Sequence, residues 1–423
     1  MGDQDDSTRS KQEYSRRRFL QSAGAAGLAG MAAPLLGSAG ASAAARTASL
    51  HNGTAASPIQ HIIVACQENH SLDHYFGSYS GLPAGYGIPP GFTQPDGHGG
   101  TVKPYHFTSL TENGGDPYHN WTDIHNEWDK GKMDGFYTTN GKVAMGYFDS
   151  ADLPYYYSLF PKYTLCANYF CGVLSETYPN RLVLYSGTSG GITTNNVNTN
   201  GSLNWPCVLD LLSNAGLTFK NYNFHCPANY TIMALFKKWA TGGPGNELNQ
   251  SMSKFFSDCT NNTLPAVSFI TEASPYDEHP PSNIHTGENM IKSIVSAVQK
   301  SKAWASTAIL ITYDEGGGFF DHIAPPQLDA FGPGIRVPMI IVSPLAKPGH
   351  VDTTYSEHSS VLKFIETVFS LPTLASMNHQ FDTSTPRGSN YEGNGAPFPP
   401  RDGNSKISDL SQCFTVPVAG PAR

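Results

Sequence analysis

Ile59-Gln60-His61-Ile62-Ile63-Val64-Ala65-Cys66 is a short apolar run that breaks into Gln67-Glu68-Asn69. Such a run predicts a buried strand. Runs of the same kind recur at Ala266–Thr271, Thr307–Tyr313 and Val337–Val342. Stretches with helical spacing lie between or after them, from Asn180 to about Ser186, at Ile284–Lys300 and at Ser356–Phe369. Buried strands alternating with helices predict an α/β fold, with a mostly parallel central sheet covered by helices on both faces. Gly77–Asp116, rich in Gly and Pro, and Gly190–Gly201, rich in Thr and Asn, predict long surface loops.

The polar residues at the strand ends point to chemistry. In an open α/β sheet, ligands sit beyond the carboxyl ends of the strands. Thr307–Tyr313 ends in Asp314-Glu315-Gly316-Gly317-Gly318, and Ala266–Thr271 leads to Glu272 and then to Asp277-Glu278-His279. A single carboxylate at such a place reads as a helix cap. Three strand ends that deliver carboxylates, an amide and a histidine to one edge favour a metal site. Glu68, Asn69, Asp314 and Glu315 offer only oxygen donors, which suit a hard cation such as Ca²⁺, Mg²⁺ or Mn²⁺.

Composition narrows the function classes. Charged residues are 14% of the 423, against roughly 25% in ordinary soluble domains. With 42 Gly and 31 Pro the chain is loop-rich and not a coiled coil or helical bundle. The formal net charge is −8 and no run of five basic residues occurs, which disfavours nucleic acid as a partner. Ser15-Arg16-Arg17-Arg18-Phe19-Leu20-Gln21, followed by an uncharged Ala/Gly/Leu stretch from Ser22 to Ala45, resembles a bacterial twin-arginine export signal. Residues 1–45 are therefore expected to be a removable leader recognised by the twin-arginine machinery, and the protein is expected to be secreted or extracytoplasmic. That stretch is too rich in Ala, Gly and Ser to make a stable membrane anchor. Residues 46–423 are expected to form one domain, with a polar strap over it from about residue 377. The seven cysteines leave at least one thiol unpaired, and the absence of Cys-x-x-Cys argues against a zinc ribbon. Disulfides among the others stay open.

Glu68-Asn69-His70-Ser71-Leu72-Asp73-His74-Tyr75-Phe76-Gly77 resembles the opening motif of the bacterial phosphoesterase family, which includes phospholipases C and related acid phosphatases of the alkaline-phosphatase-like superfamily. The resemblance continues in order through Asp116-Pro117-Tyr118-His119, Met133-Asp134-Gly135-Phe136 and Thr177-Tyr178-Pro179-Asn180-Arg181. It resumes at Asp277-Glu278-His279-Pro280-Pro281, at Thr312–His322 with its Asp314-Glu315-Gly316-Gly317-Gly318 core, and at Arg336-Val337-Pro338. It closes at Glu357-His358-Ser359-Ser360, and so spans roughly Ile59 to Pro372. It implies an alkaline-phosphatase-like fold with long loops over the active-site edge.

Phosphate-ester cleavage needs a nucleophile, a Lewis acid and a proton donor for the leaving group. The resemblance implies that Glu68, Asn69, Asp314 and Glu315 hold a divalent metal ion (Ca, Mg, Mn or Zn), and that Thr177 attacks phosphorus. A hydroxyl at a helix start also reads as a plain N-cap, though the same place aims free N–H groups at a phosphate. Ser175 is the alternative nucleophile, because Val173-Leu174-Ser175-Glu176 replaces a Pro-Gly-Pro run common in relatives. His119, His279 and His322 match positions that contact the phosphate or lie beside the metal. His358 reads equally as a capping residue, and His70 stands where many relatives have Arg. The implied activity is phospholipase C-type hydrolysis through a phospho-threonine, on a phosphate-ester substrate that could be a phospholipid. An acid phosphatase acting on phosphomonoesters is the alternative, favoured by the chain's short extent after the last helix. A non-catalytic exported binding protein of the same fold is a third reading. Tyr155-Tyr156-Tyr157 and Tyr222–Phe224 are possible sources of an aromatic cage for choline.

Overall fold

Four apolar runs become the centre of an eight-stranded sheet in the computed structural model, which describes residues 57–198, 200–242, 246–380 and 399–420. The expected leader and residues 381–398 of the expected strap lie outside the described residues. The sheet strands are β1 His61–Gln67, β2 Thr164–Cys166, β3 Phe219–Phe224, β4 Asn249–Ser251, β5 Val267–Glu272, β6 Thr307–Tyr313, β7 Met339–Val342 and β8 His350–Asp352. Their order across the sheet is β8-β2-β7-β6-β1-β5-β3-β4. The sheet is mostly parallel, but β7 runs antiparallel to both neighbours, β6 and β2. Pro338 has no N–H to give a ladder, so β7 starts at Met339 rather than at Val337. All seven residues of β6 are buried, so both faces of the central strands are covered.

The helices that matter for the site are α1 Leu72–Phe76, α2 Trp121–Trp128, α3 Thr177–Ser186, α4 Met252–Asn261, α5 Ile284–Lys300 and α6 His358–Phe369. α5 has the bounds its spacing predicts. It turns Ile284, Ile291, Ile294, Val295 and Val298 into the core. α3 begins at Thr177, the expected helix start, three residues before the apolar stretch from Asn180; Pro179 sits in its first turn, where its missing N–H costs nothing. α6 begins two residues later than expected. Ser356 and Glu357 instead pair as a short strand with Tyr169 and Phe170.

Register explains how the site forms. β1 and β6 pair in parallel from His61 opposite Thr307 to Gln67 opposite Tyr313. Glu68 and Asp314 therefore leave the sheet side by side, with Asp314 N–H donating to Gln67 O at 3.0 Å, as in the ladder before it. On the other side of β1, Glu68 N–H donates to Asp277 O at 2.9 Å, which draws the Asp277-Glu278-His279 segment to the same edge.

The described end of the chain lies across the domain: Arg401 N–H donates to Gly187 O, Phe414 stacks on Phe364, and Ser57 Oγ donates to Val418 O. All seven cysteines are buried unpaired thiols; Cys166 and Cys413 approach to 3.9 Å. Among the described residues no helix is long and apolar enough to cross a membrane.

Candidate active site

Glu68 and Asn69 follow β1 directly, and Asn69 adopts a left-handed φ of 66° that turns the chain away from the sheet. The bend makes room for a second backbone. A side chain at Gly317, itself at φ 63°, would meet Asn69 O at 2.2 Å, so only glycine fits there. This close approach brings Asp314 and Glu315 against the Asn69 amide. Asp314 Oδ1 accepts from Asn69 N–H at 3.0 Å and from Glu315 N–H at 2.9 Å. Glu315 Oε2 accepts from Gly317 N–H at 2.8 Å. Asn69 does not cap α1; the cap is Ser71, whose side chain accepts from His74 N–H.

Thr177 and Arg181 reach this edge from α3, one turn apart on the same face. Thr177 is the first helical residue, the cap position being Glu176, and its half-buried hydroxyl donates to Glu68 Oε2 at 3.4 Å. Ser175 is fully buried, and its hydroxyl donates instead to Thr193 O at 2.6 Å. Arg181 runs beneath the group: Nη2 donates to Glu68 Oε1 at 2.9 Å and to the carbonyls of Cys66 and Gln67, and Nε donates to Asp314 Oδ2 at 3.1 Å. The sequence reading gave Arg181 no part. Its spacing of four from Thr177 on a predicted helix was the available signal.

Two histidines close the other side. Oriented by its partners, the Asn69 amide donates to Glu68 Oε2 (3.2 Å) and Glu315 Oε1 (3.1 Å). It accepts from Nε2 of His279 (3.1 Å) and of His119 (3.3 Å). His279 Nδ1 also donates, to Pro280 O, so both its nitrogens carry protons. Burial opposes that cation, but Asp116, Glu68 and Asp277 outweigh it and hold the His279 pKa above the ordinary imidazole value. His358 is neutral: burial lowers it to about 3, and its Nε2 donates to Asp314 O at 2.7 Å, bracing that turn.

His322 lies in a different cluster. Its ring contacts Asp73 Oδ2 and Gly85 O, while Asp73 and Asp321 both take the fully buried Arg336 guanidinium. His70 is likewise turned away from the edge, stacked on Tyr75 at 4.0 Å. The tyrosine segments form no cage: Tyr156 and Tyr222 are fully buried and donate to Glu278 and Asp258.

The charge of the edge fits a divalent cation. Glu68, Asp314 and Glu315 face the Arg181 guanidinium and the cationic His279, which leaves one negative charge over, and burial together with their mutual repulsion raises Asp314 and Glu315 above the usual carboxylate range. Oxygen donors with surplus negative charge in a buried place are what a hard cation needs.

The model of the phosphoesterase family matches residues 59–372. The chain is 29% identical to the non-hemolytic phospholipase C of Pseudomonas aeruginosa, covering 84% of this chain and 60% of that protein. It is 30% identical to phospholipase C B of Mycobacterium tuberculosis, covering 74% of each, and 29% identical to non-specific phospholipase C4 of Arabidopsis thaliana, covering 75% of this chain and 69% of that one. It spans less than two thirds of the length of the Pseudomonas relative. Similar solved structures include an alkaline phosphatase superfamily protein from Vibrio parahaemolyticus, with 11% identity, TM-score 0.35 and coverage of 52% and 60%. A match over that extent of the chain, carrying the strand-end motifs that meet at this edge, makes the protein a member of the phosphoesterase family.

Proposed function

We propose that the chain is an exported, divalent-metal-dependent phosphoric ester hydrolase of the phospholipase C type, working through a covalent phospho-threonine at Thr177. The observation that supports this most is the 3.4 Å hydrogen bond from Thr177 Oγ1 to Glu68 Oε2 at the start of α3. The nucleophile's proton has an acceptor there, while the helix start itself offers a phosphate little, since Tyr178 N–H donates to Asn195 Oδ1 and Pro179 has no N–H. Relatives named phospholipase C support a phospholipid-type phosphodiester as substrate.

In this reading Glu68, Asp314 and Glu315 would hold the cation, and Asn69 would join them by turning its amide so that the oxygen replaces the nitrogen that faces Glu68 and Glu315. When bound, the cation supplies charge for the phosphoryl oxygens and eases ionisation of the threonine hydroxyl. Thr177 Oγ bonds to phosphorus as the ester oxygen leaves, and Glu68 takes the hydroxyl proton. The cationic His279 gives the leaving oxygen its proton and His119 holds a phosphoryl oxygen. Water then attacks phosphorus and gives a proton to the now neutral His279, the phosphoryl group leaves as the phosphorylated product, and Thr177 Oγ takes back the proton from Glu68. Arg181 fixes Glu68 and Asp314. His322 belongs to the bracing of Asp73, a part its hydrogen bonds support.

The test compares p-nitrophenyl phosphorylcholine with p-nitrophenyl phosphate, with and without chelator. Faster turnover of the diester, lost on chelation, is expected. The reverse preference would make the protein a phosphomonoesterase, and turnover indifferent to chelator would remove the metal from the mechanism. Binding of the diester without turnover would mark a non-catalytic binding protein.

A further inference from the structure

His70, just before α1, and His74, within it, are fully buried, and Glu112 on the loop before His119 is 1% exposed. One ligand atom from each lies within 4.8 Å of the other two. The reaction has no use for this group.

Hydrogen bonds decide what the two rings present. His70 Nε2 lies 3.0 Å from Glu278 O, and His74 Nδ1 lies 2.8 Å from Gly146 O. A carbonyl only accepts, so these nitrogens carry the ring protons. A second proton on either ring would have nothing to donate to, since His70 Nδ1 and His74 Nε2 are buried with no acceptor in hydrogen-bond reach, and burial drives His74 to about 3. His70 Nδ1 and His74 Nε2 are therefore bare lone pairs, and neither has a partner; nor has either oxygen of Glu112. Acceptors face acceptors in a place walled by Phe107, Phe148 and Phe319. A proton on Glu112 would serve one lone pair and leave the other bare.

We propose that His70, His74 and Glu112 form a second metal site that takes a borderline divalent cation of the zinc type. Two imidazole nitrogens and a carboxylate are a zinc donor set. Carbonyls on the opposite ring nitrogens are the outer contacts that orient ligating histidines. Tetrahedral zinc with nitrogens at about 2.0–2.1 Å sets its ligand atoms about 3.4 Å apart, so the three side chains need to close by no more than about 1.4 Å. The cation would be structural. His70 follows Asn69 and Glu112 lies on the loop that leads to His119, so it clamps that loop to the end of β1.

The inference does not rest on the proposed function. The full chain is stripped with chelator, reloaded with Zn²⁺ and desalted, and retained zinc is counted for wild type, Glu112→Gln and Asp314→Asn. Glu112→Gln is expected to hold about one zinc per chain fewer than wild type. X-ray absorption on zinc-loaded Asp314→Asn is expected to show two imidazole nitrogens on the metal, a readout that needs no change at the proposed site. Equal zinc in wild type and Glu112→Gln, or only oxygen neighbours in Asp314→Asn, overturns the proposal. If the first metal site were misassigned, Asp314→Asn would match wild type while Glu112→Gln still lost its equivalent.

Discussion

Thr177 and Arg181 show how one helical turn can serve two purposes. If Thr177 attacks phosphorus, Thr177→Val keeps the branched shape and the helix start but loses the nucleophile. Its turnover should fall at least about 10³-fold, or ~4 kcal/mol in the barrier. Thr177→Ser should stay within about tenfold, and acid quench of wild type should trap phosphorylated protein. A metal-activated water attacking directly would leave Thr177→Val within tenfold. Ser175→Ala is the control, since its hydroxyl is already committed to Thr193 O. Arg181 is different, because it is the guanidinium that neutralises Glu68 and Asp314. In metal-free protein, Arg181→Gln leaves two buried carboxylates facing each other. The expected loss is about 3–5 kcal/mol in urea unfolding, partly restored by Ca²⁺. A loss below 1 kcal/mol would mean that the ion pairs are not sustained. The four strand-end oxygens were legible because motif and register coincide. Arg181 was not, because a buried arginine is recognised by its partners, and those lie more than a hundred residues away in sequence.

At the scale of elements, continuous apolar strands and the seventeen-residue α5 could be read from sequence, whereas short or alternating strands could not. β3 reads Phe-Lys-Asn-Tyr-Asn-Phe, and its tyrosine suggests a binding rim until the pleat turns Tyr222 inward onto Asp258. The antiparallel β7 was hidden too, because a four-residue apolar run carries no direction. Asp258 ties β3 to α4. It accepts from Lys220 (2.6 Å), Tyr222 (2.7 Å) and Thr263 (2.6 Å), and it pairs with Lys254. Burial opposes its charge, yet the two lysines, Thr263 and Tyr222 hold its pKa below the ordinary carboxylate value. A depressed carboxylate contributes stability above the unfolded value near 3.9, and loses it as pH falls through the lower folded value. Asp258→Asn should therefore cost about 1–2 kcal/mol at pH 7, a figure kept low because both lysines reach solvent. The cost should shrink toward pH 3. Denaturant midpoints at the two pH values check this, and an equal cost at both would show that charge is not the cause.

For the whole molecule, the decisive quantity is the negative charge gathered at one edge of the sheet. Asp314 and Glu315 have raised pKa values because of burial and neighbouring carboxylates. For an acid, a raised folded value gives stability that is present below the unfolded pKa and is lost as pH rises through the folded value. Metal-free protein should therefore melt higher at pH 5.5 than at pH 8. A bound cation favours the ionised carboxylates and should weaken or reverse that order. Glu278, raised to about 7 by burial, titrates over the same range behind the site, so part of the slope survives whatever is bound. The measurement is consequently a difference: Tm at pH 5.5 and pH 8, each with chelator and with Ca²⁺ or Mg²⁺. A cation at 100 times its Kd adds about 2.7 kcal/mol to stability, which for a chain of this size is a rise of a few degrees. That rise should be larger at pH 8, where the ligands need no deprotonation, and should vanish in Asp314→Asn. A rise equal at both pH values, or one that persists in Asp314→Asn, would place the hard cation elsewhere and leave the buried carboxylates of β1 and β6 without the counterion that their charge calls for.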